Sequence, residues 1–136
     1  MHDPLLSYPG YCLRRANNAM MTELGSRLAP LEMRQTDASA LILIGANPGV
    51  TASALGRRID IQRANMVPLL NRLEEAGLII RAPIDGKSQG LELTKEGREK
   101  LAAVLAVIEE FERELLERVP PEHRDHLLPA LKTLWH

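Results

Sequence analysis

Cysteine is nearly absent from this sequence, with Cys12 alone among 136 residues. A lone cysteine excludes a disulfide within the chain and favours a reducing compartment. The sequence also lacks an apolar run long enough to cross a bilayer, and it lacks the layout of a signal peptide at its start. These absences predict a cytoplasmic protein that makes no contact with a membrane.

Recognisable catalytic patterns are missing as well. The nine glycines are scattered over predicted turns and helix ends, so they form no glycine-rich phosphate loop. The four histidines are His2, His123, His126 and His136. None neighbours Cys12 in sequence, and none lies near a strand-turn-helix nucleophile site, so no catalytic triad is predicted. His123 and His126 could share a helical face with Glu122, but three groups at an exposed helix start do not define a metal site. We therefore predict no enzyme, no cofactor and no metal.

The charge is almost balanced, at −1 overall, which taken alone argues against a nucleic-acid partner. The distribution argues for one, because an acidic surplus lies between residues 109 and 125 whereas cations concentrate between residues 57 and 87. These cations are Arg57, Arg58, Arg63, Arg72, Arg81 and Lys87. Attraction to phosphate depends on the local field, so this segment can bind DNA despite the net charge.

The same segment predicts two short helices joined by a tight turn. Residues 51–59 have Thr51 as a suitable N-cap and a spaced apolar face. Helical spacing resumes over residues 62–76, where Gly77 is placed to end the second helix. The inward positions of that helix are predicted to be Val67, Leu70 and Leu73. Pro68 lies in its interior and predicts a kink or a tightened first turn.

The first turn of the second helix carries side chains that read bases. Gln62 or Asn65 can pair with adenine, Arg63 can pair with guanine, and Met66 can touch a thymine methyl group. This is the position from which a recognition helix contacts the major groove.

A basic hairpin follows. Residues 78–83 and 90–94 alternate as strands, and Asp85 with Gly86 forms a strong turn signal between them. Lys87 and Ser88 at the tip, with Arg81 near the base, can reach phosphates or the minor groove. Each cation taken singly is more often a solvated charge, but the order of helix, turn, helix and basic hairpin favours DNA binding.

With these motifs the chain resembles the MarR family of bacterial transcription regulators along nearly its whole length. The resemblance rests on residues 28–31, 47–51, 73–78, 85–88 and 91–97. It implies a mainly α fold with a small β wing: a winged helix-turn-helix core flanked by N- and C-terminal dimerisation helices. It also implies a homodimer that binds double-stranded DNA, most simply a repressor released from a palindromic operator by a small effector, such as an aromatic acid. Members of the family usually have Arg at the position of Lys87, and a nearby Asp, here Asp85, buttresses it. Lys lacks the planar guanidinium group with which Arg reads the minor groove.

The expected organisation is a single structural domain with three parts: residues 1–35 for dimerisation, residues 36–96 for DNA binding and residues 97–136 for dimerisation. The DNA-binding residues are expected to be Thr51, Ser53, Gln62, Arg63, Asn65, Met66, Arg72, Arg81, Asp85, Lys87 and Ser88. Apolar stripes at both ends of the chain exceed what the small core can cover, which favours burial against a second copy over packing within one chain. The stripe in the long C-terminal helix includes Leu101, Val104, Ile108 and Phe111.

The family also implies an effector pocket between the dimerisation and DNA-binding regions. We expect Thr36, the predicted N-cap of a buried helix, and Ala40 to line one wall of this pocket. Arg14, Arg15 and Asn18 fall within one turn of the first helix, where an arginine could clamp a carboxylate; two solvated arginines would have the same spacing.

Two alternatives remain open from the sequence. Cys12, near Tyr8, Tyr11 and two arginines, could sense peroxide, because cations favour the reactive thiolate. However, residues 35–43 lack the tyrosines that the peroxide-sensing branch of the family uses, and a free cysteine is more often simply buried. The winged helix could alternatively be a protein-interaction adaptor that does not read DNA.

Overall fold

Short sequence signals determine where the helices of this chain begin and end. The structure is a computed structural model and describes residues 1–135. Its six α-helices and two strands are α1 (Pro9–Leu28), α2 (Gln35–Ala46), α3 (Ala52–Arg58), α4 (Arg63–Glu75), β1 (Ile79–Pro83), β2 (Gln89–Leu93), α5 (Lys95–Arg118) and α6 (Arg124–Lys132). This mainly helical architecture with a two-stranded wing confirms the predicted fold class.

Hydroxyl side chains cap two of the helices. The Thr51 Oγ1 atom accepts the backbone N–H of Ala54 at 3.1 Å, and the Thr94 Oγ1 atom accepts that of Gly97 at 2.9 Å. Each bond satisfies a donor that the first helical turn would otherwise leave unpaired. The predicted cap at Thr51 is confirmed.

The end of α4 also follows its sequence signal. Gly77 adopts the left-handed conformation with φ of +75°, which favours glycine because it has no Cβ atom. The N–H of Leu78 then donates to the carbonyl of Leu73 at 3.0 Å, and the N–H of Gly77 donates to that of Glu74 at 2.9 Å. The chain therefore leaves α4 in a defined direction and enters β1 directly.

β1 and β2 form an antiparallel hairpin in which Ile79 is opposite Leu93 and Pro83 is opposite Gln89. The segment before α3 joins this hairpin, because Gly49 and Val50 exchange backbone hydrogen bonds with Leu91 at 2.9 and 2.8 Å. The wing is thereby fixed to the start of α3.

One cluster of buried apolar side chains connects these elements. Its members are Leu28, Met33, Ala38, Ala40, Leu41, Ile44, Leu55, Met66, Leu69, Leu70, Leu73, Leu78, Ile79, Leu91 and Val104. They come from every α-helix before α6 and from both strands, and their removal from water drives the packing. The positions of α3, α4 and the wing relative to one another therefore depend on a shared core.

Two predicted details of these helices are wrong. Val67 was expected to face inward but is 55% exposed, whereas Met66 and Leu69 are buried, so the inward face of α4 is shifted by one residue. The N-cap of α2 is Arg34 and not Thr36, which lies in the first turn. Asp37, at the third helical position, accepts the backbone N–H of Arg34 at 3.0 Å, so the side chain that stabilises this helix start is a carboxylate.

Pro68 does not interrupt α4, which runs continuously from Arg63 to Glu75. The first turn is tightened: the carbonyl of Gln62 accepts the N–H of Asn65 at 2.9 Å and that of Met66 at 3.2 Å. The shorter of the two bonds spans three residues, the spacing of a 3₁₀ turn.

Large apolar side chains are exposed near both ends of the described chain. They are Leu5, Leu6, Tyr8, Leu13, Leu116, Leu128, Leu134 and Trp135. These side chains are available to pack against another molecule. α1 and α5 are held together by two ion pairs, one between Glu23 and Arg118 at 2.8 Å and one between Arg27 and Glu114.

Candidate nucleic-acid interface

Two adjoining grooves lie on one side of the winged helix-turn-helix. One, of about 470 Å³, separates the start of α3 from the wing. The other, of about 480 Å³, separates α3 from α4. Ser53 and Arg81 line both grooves, which makes them a continuous surface. The three predicted DNA-binding elements therefore border the same face.

The start of α4 presents polar side chains on this face. Gln62, Arg63 and Asn65 are exposed, and the Gln62 side chain makes no capping hydrogen bond. Their amide and guanidinium groups are accessible, and their contact with bases stays a prediction. Met66 is different: it is 4% exposed and packs against Gly56 of α3. The prediction that Met66 touches a thymine methyl group is therefore wrong.

Cations on this face carry unneutralised charge. Within residues 1–135, no ion pair involves Arg57, Arg63 or Lys87. Arg81 is partly neutralised, because its Nε atom lies 3.3 Å from a carboxylate oxygen of Glu74. Within that range, Arg63, Arg57 and Lys87 thus place unpaired positive charges at the start of α4, in α3 and at the tip of the wing.

Asp85 shapes the tip of the wing. One oxygen of its carboxylate accepts the backbone N–H of Lys87 at 2.9 Å and that of Ser88 at 2.8 Å. These two bonds stabilise the charged form and lower the pKa of Asp85. The carboxylate buttresses the backbone of the turn and makes no ion pair with the Lys87 side chain, which is exposed.

Thr51 and Ser53 border the wing groove at the start of α3. Because the Thr51 oxygen accepts the Ala54 N–H, its hydroxyl hydrogen is still available to donate. Ser53 is exposed. Both hydroxyl groups, together with Ser88, can donate to phosphate oxygens.

Arg72 does not belong to this interface, although it was predicted to bind DNA. Its Nη2 atom donates to Asp37 of α2 at 2.8 Å, and Asp37 is 5% exposed. The Nε atom of Arg72 is buried. The guanidinium is thus bound to the core side of α4, where it links this helix to the first turn of α2.

Sequence reasoning missed three residues that line the groove between α3 and α4. Arg57 was noted only as part of the local charge, and Val67 and Asn71 were not assigned to the site. Val67 and Asn71 follow Arg63 at intervals of four residues, a spacing that places side chains on one helical face. That spacing was the available signal, and the wrong inward face assigned to α4 concealed it.

The predicted effector residues do not come together. Ala40 is fully buried in the core, so its assignment to a pocket wall is wrong. Thr36 lines a groove of about 600 Å³ between the end of α1 and the start of α2, together with Arg34 and Met33. Arg14, Arg15 and Asn18 line no part of that groove.

The two arginines of α1 interact with Tyr11. The Arg14 and Arg15 guanidinium carbons lie 5.3 and 5.8 Å from the centre of its ring, and Arg15 donates to the hydroxyl group at 2.9 Å. This hydrogen bond raises the pKa of Arg15. Asn18 lies one turn farther along the helix and is exposed. The three residues thus occupy the exposed first half of α1.

Cys12 is half-buried, with its thiol 3.5 Å from the carbonyl oxygen of Leu6. Its proposed redox role stays a prediction.

Among residues 1–135, no three metal-binding side chains come close enough to hold an ion; His136 lies outside the described residues. None of the helices in that range has both the length and the apolar character needed to span a membrane.

Comparison with known proteins gives consistent matches. The family model described as "MarR family" matches residues 33–88. A protein of Thauera aromatica, named for regulation of the hcr operon, is 28% identical over 99% of this chain and 83% of its own length.

Solved structures also match along nearly the whole chain. The transcriptional repressor CouR, bound to a 23-mer DNA duplex, is 33% identical, with a TM-score of 0.90 over 98% of this chain and 97% of its own. CouR bound to p-coumaroyl-CoA has a TM-score of 0.86 over 98% of this chain and 96% of its own, at 30% identity. The Mycobacterium tuberculosis protein Rv2887 in complex with salicylic acid has a TM-score of 0.75 at 25% identity, over 94% of this chain and 96% of its own.

Proposed function

The chain belongs to the MarR family of transcription regulators, and from this premise we propose that it is a repressor that binds a two-fold symmetric operator as a homodimer in the cytoplasm. It is a DNA-binding regulator of the winged-helix type. The observation that carries the proposal is the continuous face on which α4, α3 and the wing present Arg63, Arg57 and Lys87 free of ion pairs within residues 1–135.

α4 and the wing make different kinds of contact with DNA. α4 is the recognition helix, whose first turn reads base edges in the major groove, and the wing contacts the backbone beside it. Two such helices in a dimer engage one side of the duplex when they lie about 34 Å apart, one helical turn of DNA. A modest change in their separation would cost the contacts of one half-site.

The exposed apolar side chains at both chain ends support the dimer. Leu128, Leu134 and Trp135 are each more than half exposed, and burial against a second copy would remove this apolar area from water. The dimerisation regions are proposed to be residues 1–35 and 97–136, flanking the DNA-binding residues 36–96.

An aromatic acid, or the CoA thioester of one, is the proposed effector class, in keeping with the ligands of CouR and Rv2887. The groove lined by Arg34, Thr36 and Met33 combines a cation, a hydroxyl group and apolar walls, which suits an aromatic carboxylate. On this proposal, Arg34→Ala reduces the response of the DNA complex to salicylate, whose carboxylate the guanidinium would bind. Arg15→Ala, at a residue bound to Tyr11, leaves the response unchanged. An equal loss in both variants would contradict the assignment of the groove.

Selection of bound fragments from random and genomic DNA by the purified protein tests the main proposal. We expect a palindrome with half-sites one helical turn apart, and binding to it that weakens as salt rises. Arg63→Ala should remove base preference at one position in each half-site. Arg113→Ala is the matched control, because Arg113 lies on α5 and pairs with Glu110 and Glu117. If no sequence is enriched and binding disappears at moderate salt, the protein is a winged-helix adaptor with a generic basic face.

A further inference from the structure

Val67 is an exposed aliphatic residue on the outward side of the recognition helix. The side of α4 that packs on the core consists of Met66, Leu69, Leu70 and Leu73, and Val67 is not part of it. A β-branched residue at an exposed helix position is also less favourable than alanine. Neither packing nor helix propensity therefore explains why valine is present.

The neighbours of Val67 belong to the proposed DNA face. Arg63 precedes it by four residues and Asn71 follows it by four, so the three side chains form one row along α4 with a spacing of about 6 Å. All three line the groove between α3 and α4. Single exposed apolar residues are common on protein surfaces, but this one lies between two side chains that can form hydrogen bonds with bases.

The major groove of DNA offers one apolar group, the 5-methyl group of thymine. We propose that Val67 is a specificity residue that contacts a thymine methyl group, in the role that the sequence had assigned to Met66. The inference rests on the proposed function, because it requires α4 to lie in the major groove. Arg63 and Asn71, on either side, would form polar contacts with the flanking bases.

The polar neighbours also limit what else could cover Val67. Arg57 and Arg63 border the same groove without ion pairs in the described part of the chain, and an apolar partner would have to desolvate these charges. DNA neutralises them with its phosphates while it presents methyl groups between them. A nucleic acid that carries thymine therefore satisfies the charges and the apolar side chain together.

Deoxyuridine allows a direct test, because it differs from thymidine only by the missing methyl group. In each variant operator, one thymine position is changed to uracil, at the equivalent place in both half-sites. Dissociation constants are then measured for the wild-type protein and for Val67→Ala. The wild type should bind about four-fold more weakly per half-site at one position, the effect of removing one buried methyl group. Val67→Ala should bind the thymine and uracil operators equally at that position, and as weakly as the wild type binds uracil.

A matched control is Ile80→Ala. Ile80 is 48% exposed on β1 and lines neither groove of the DNA face, so this variant should discriminate between thymine and uracil as the wild type does. Thermal melting of both variants verifies that the fold is intact.

Three outcomes would overturn the assignment. The wild type could bind every uracil operator as tightly as the original, the selected operator could lack thymine beneath the helix, or Val67→Ala could keep the discrimination. Each would leave the regulator function intact, because a specific operator was found. If no operator can be selected at all, the proposed function itself fails, and the role of Val67 fails with it.

Discussion

Gly97 occupies a position where a side chain has no space. A Cβ atom at this position would overlap the carbonyl oxygen of Leu78, in the backbone between α4 and β1. The same junction is held by the Thr94 hydroxyl group, which donates to the carbonyl of Gly77 at 2.6 Å. The start of α5 can therefore approach the end of α4 only because residue 97 is glycine.

Gly97→Ala should lower the free energy of unfolding by about 1–3 kcal/mol, since the overlap with backbone must be relieved by a shift of α5. Gly10→Ala is the control: Gly10 is also helical, but its added Cβ would meet nothing within 4 Å. That exchange should stabilise the protein by about 0.5–1 kcal/mol, because alanine restricts the unfolded chain. Chemical denaturation of the two variants measures both effects; equal stability of the two would contradict the close approach.

Asp85 makes the wing tip sensitive to acid. Its pKa is lowered by the N–H groups of Lys87 and Ser88, which bind the charged form. The ordered turn is therefore fully favoured above the ordinary aspartate pKa of about 3.9, and this contribution is lost as the pH falls through the lower pKa of the folded protein. In an NMR titration, the Lys87 and Ser88 amide signals should shift together with a midpoint below the ordinary value. A midpoint above it would contradict the two hydrogen bonds.

The same turn can be tested by substitution. Asp85→Asn and Asp85→Ala remove the same charge, but only asparagine keeps an oxygen that accepts the two N–H bonds. We expect Asp85→Ala to bind operator DNA more weakly than Asp85→Asn, because its wing tip is no longer ordered. Equal affinities would show that Lys87 contacts phosphate without support from the turn.

At the scale of elements, the ion pair between Arg72 and Asp37 connects the recognition helix to α2. Arg72→Ala leaves the carboxylate of Asp37 buried with only the Arg34 N–H as a partner, which should cost about 2 kcal/mol of stability. Arg63→Ala should leave the melting temperature unchanged and weaken DNA binding. If Arg72→Ala instead melts like the wild type and reduces the salt dependence of DNA binding, Arg72 contacts phosphate after all.

The sequence predicted the elements whose signals are local. Thr51 caps a helix, Gly77 ends one, and Asp85 with Gly86 turns the hairpin, because each signal acts within a few residues. The inward face of α4 could not be fixed in this way. Leu70 and Leu73 fit a stripe through Val67 as well as one through Met66, and only contact with α3 decides between them.

Contacts between residues that are far apart in the sequence could not be predicted either, because they also depend on the assembled fold. Arg72 is near other cations in sequence and was therefore assigned to DNA, but its partner Asp37 lies 35 residues earlier. Ala40 was expected to touch an effector, yet the packing of α2 in the core leaves it no exposed surface. Burial depends on the assembled fold, which a spacing pattern in one helix does not contain.

At the scale of the whole molecule, we propose that the exposed apolar side chains at the two ends of the chain form the dimer interface. Leu128→Asp places a charge on a side chain that is 59% exposed in the single chain, so the monomer should fold normally while the dimer is destabilised. Sedimentation should show a monomer, and operator affinity should fall because two half-sites are no longer held together. Ile80→Asp, at a similarly exposed residue away from both ends, should remain dimeric. A dimer that survives Leu128→Asp would exclude α6 from the interface.

The bond between Asp37 and Arg72 also has an evolutionary consequence. Asp37 accepts from both the start of α2 and the side chain of Arg72, so losing either residue alone leaves a buried group without its partner. Among descendants of this gene, substitutions at positions 37 and 72 should therefore arise as linked pairs, whereas the outward residues of α4 can change singly as operators diverge. Such covariation would distinguish the residues of α4 that maintain the fold from the outward residues that determine which operator is bound.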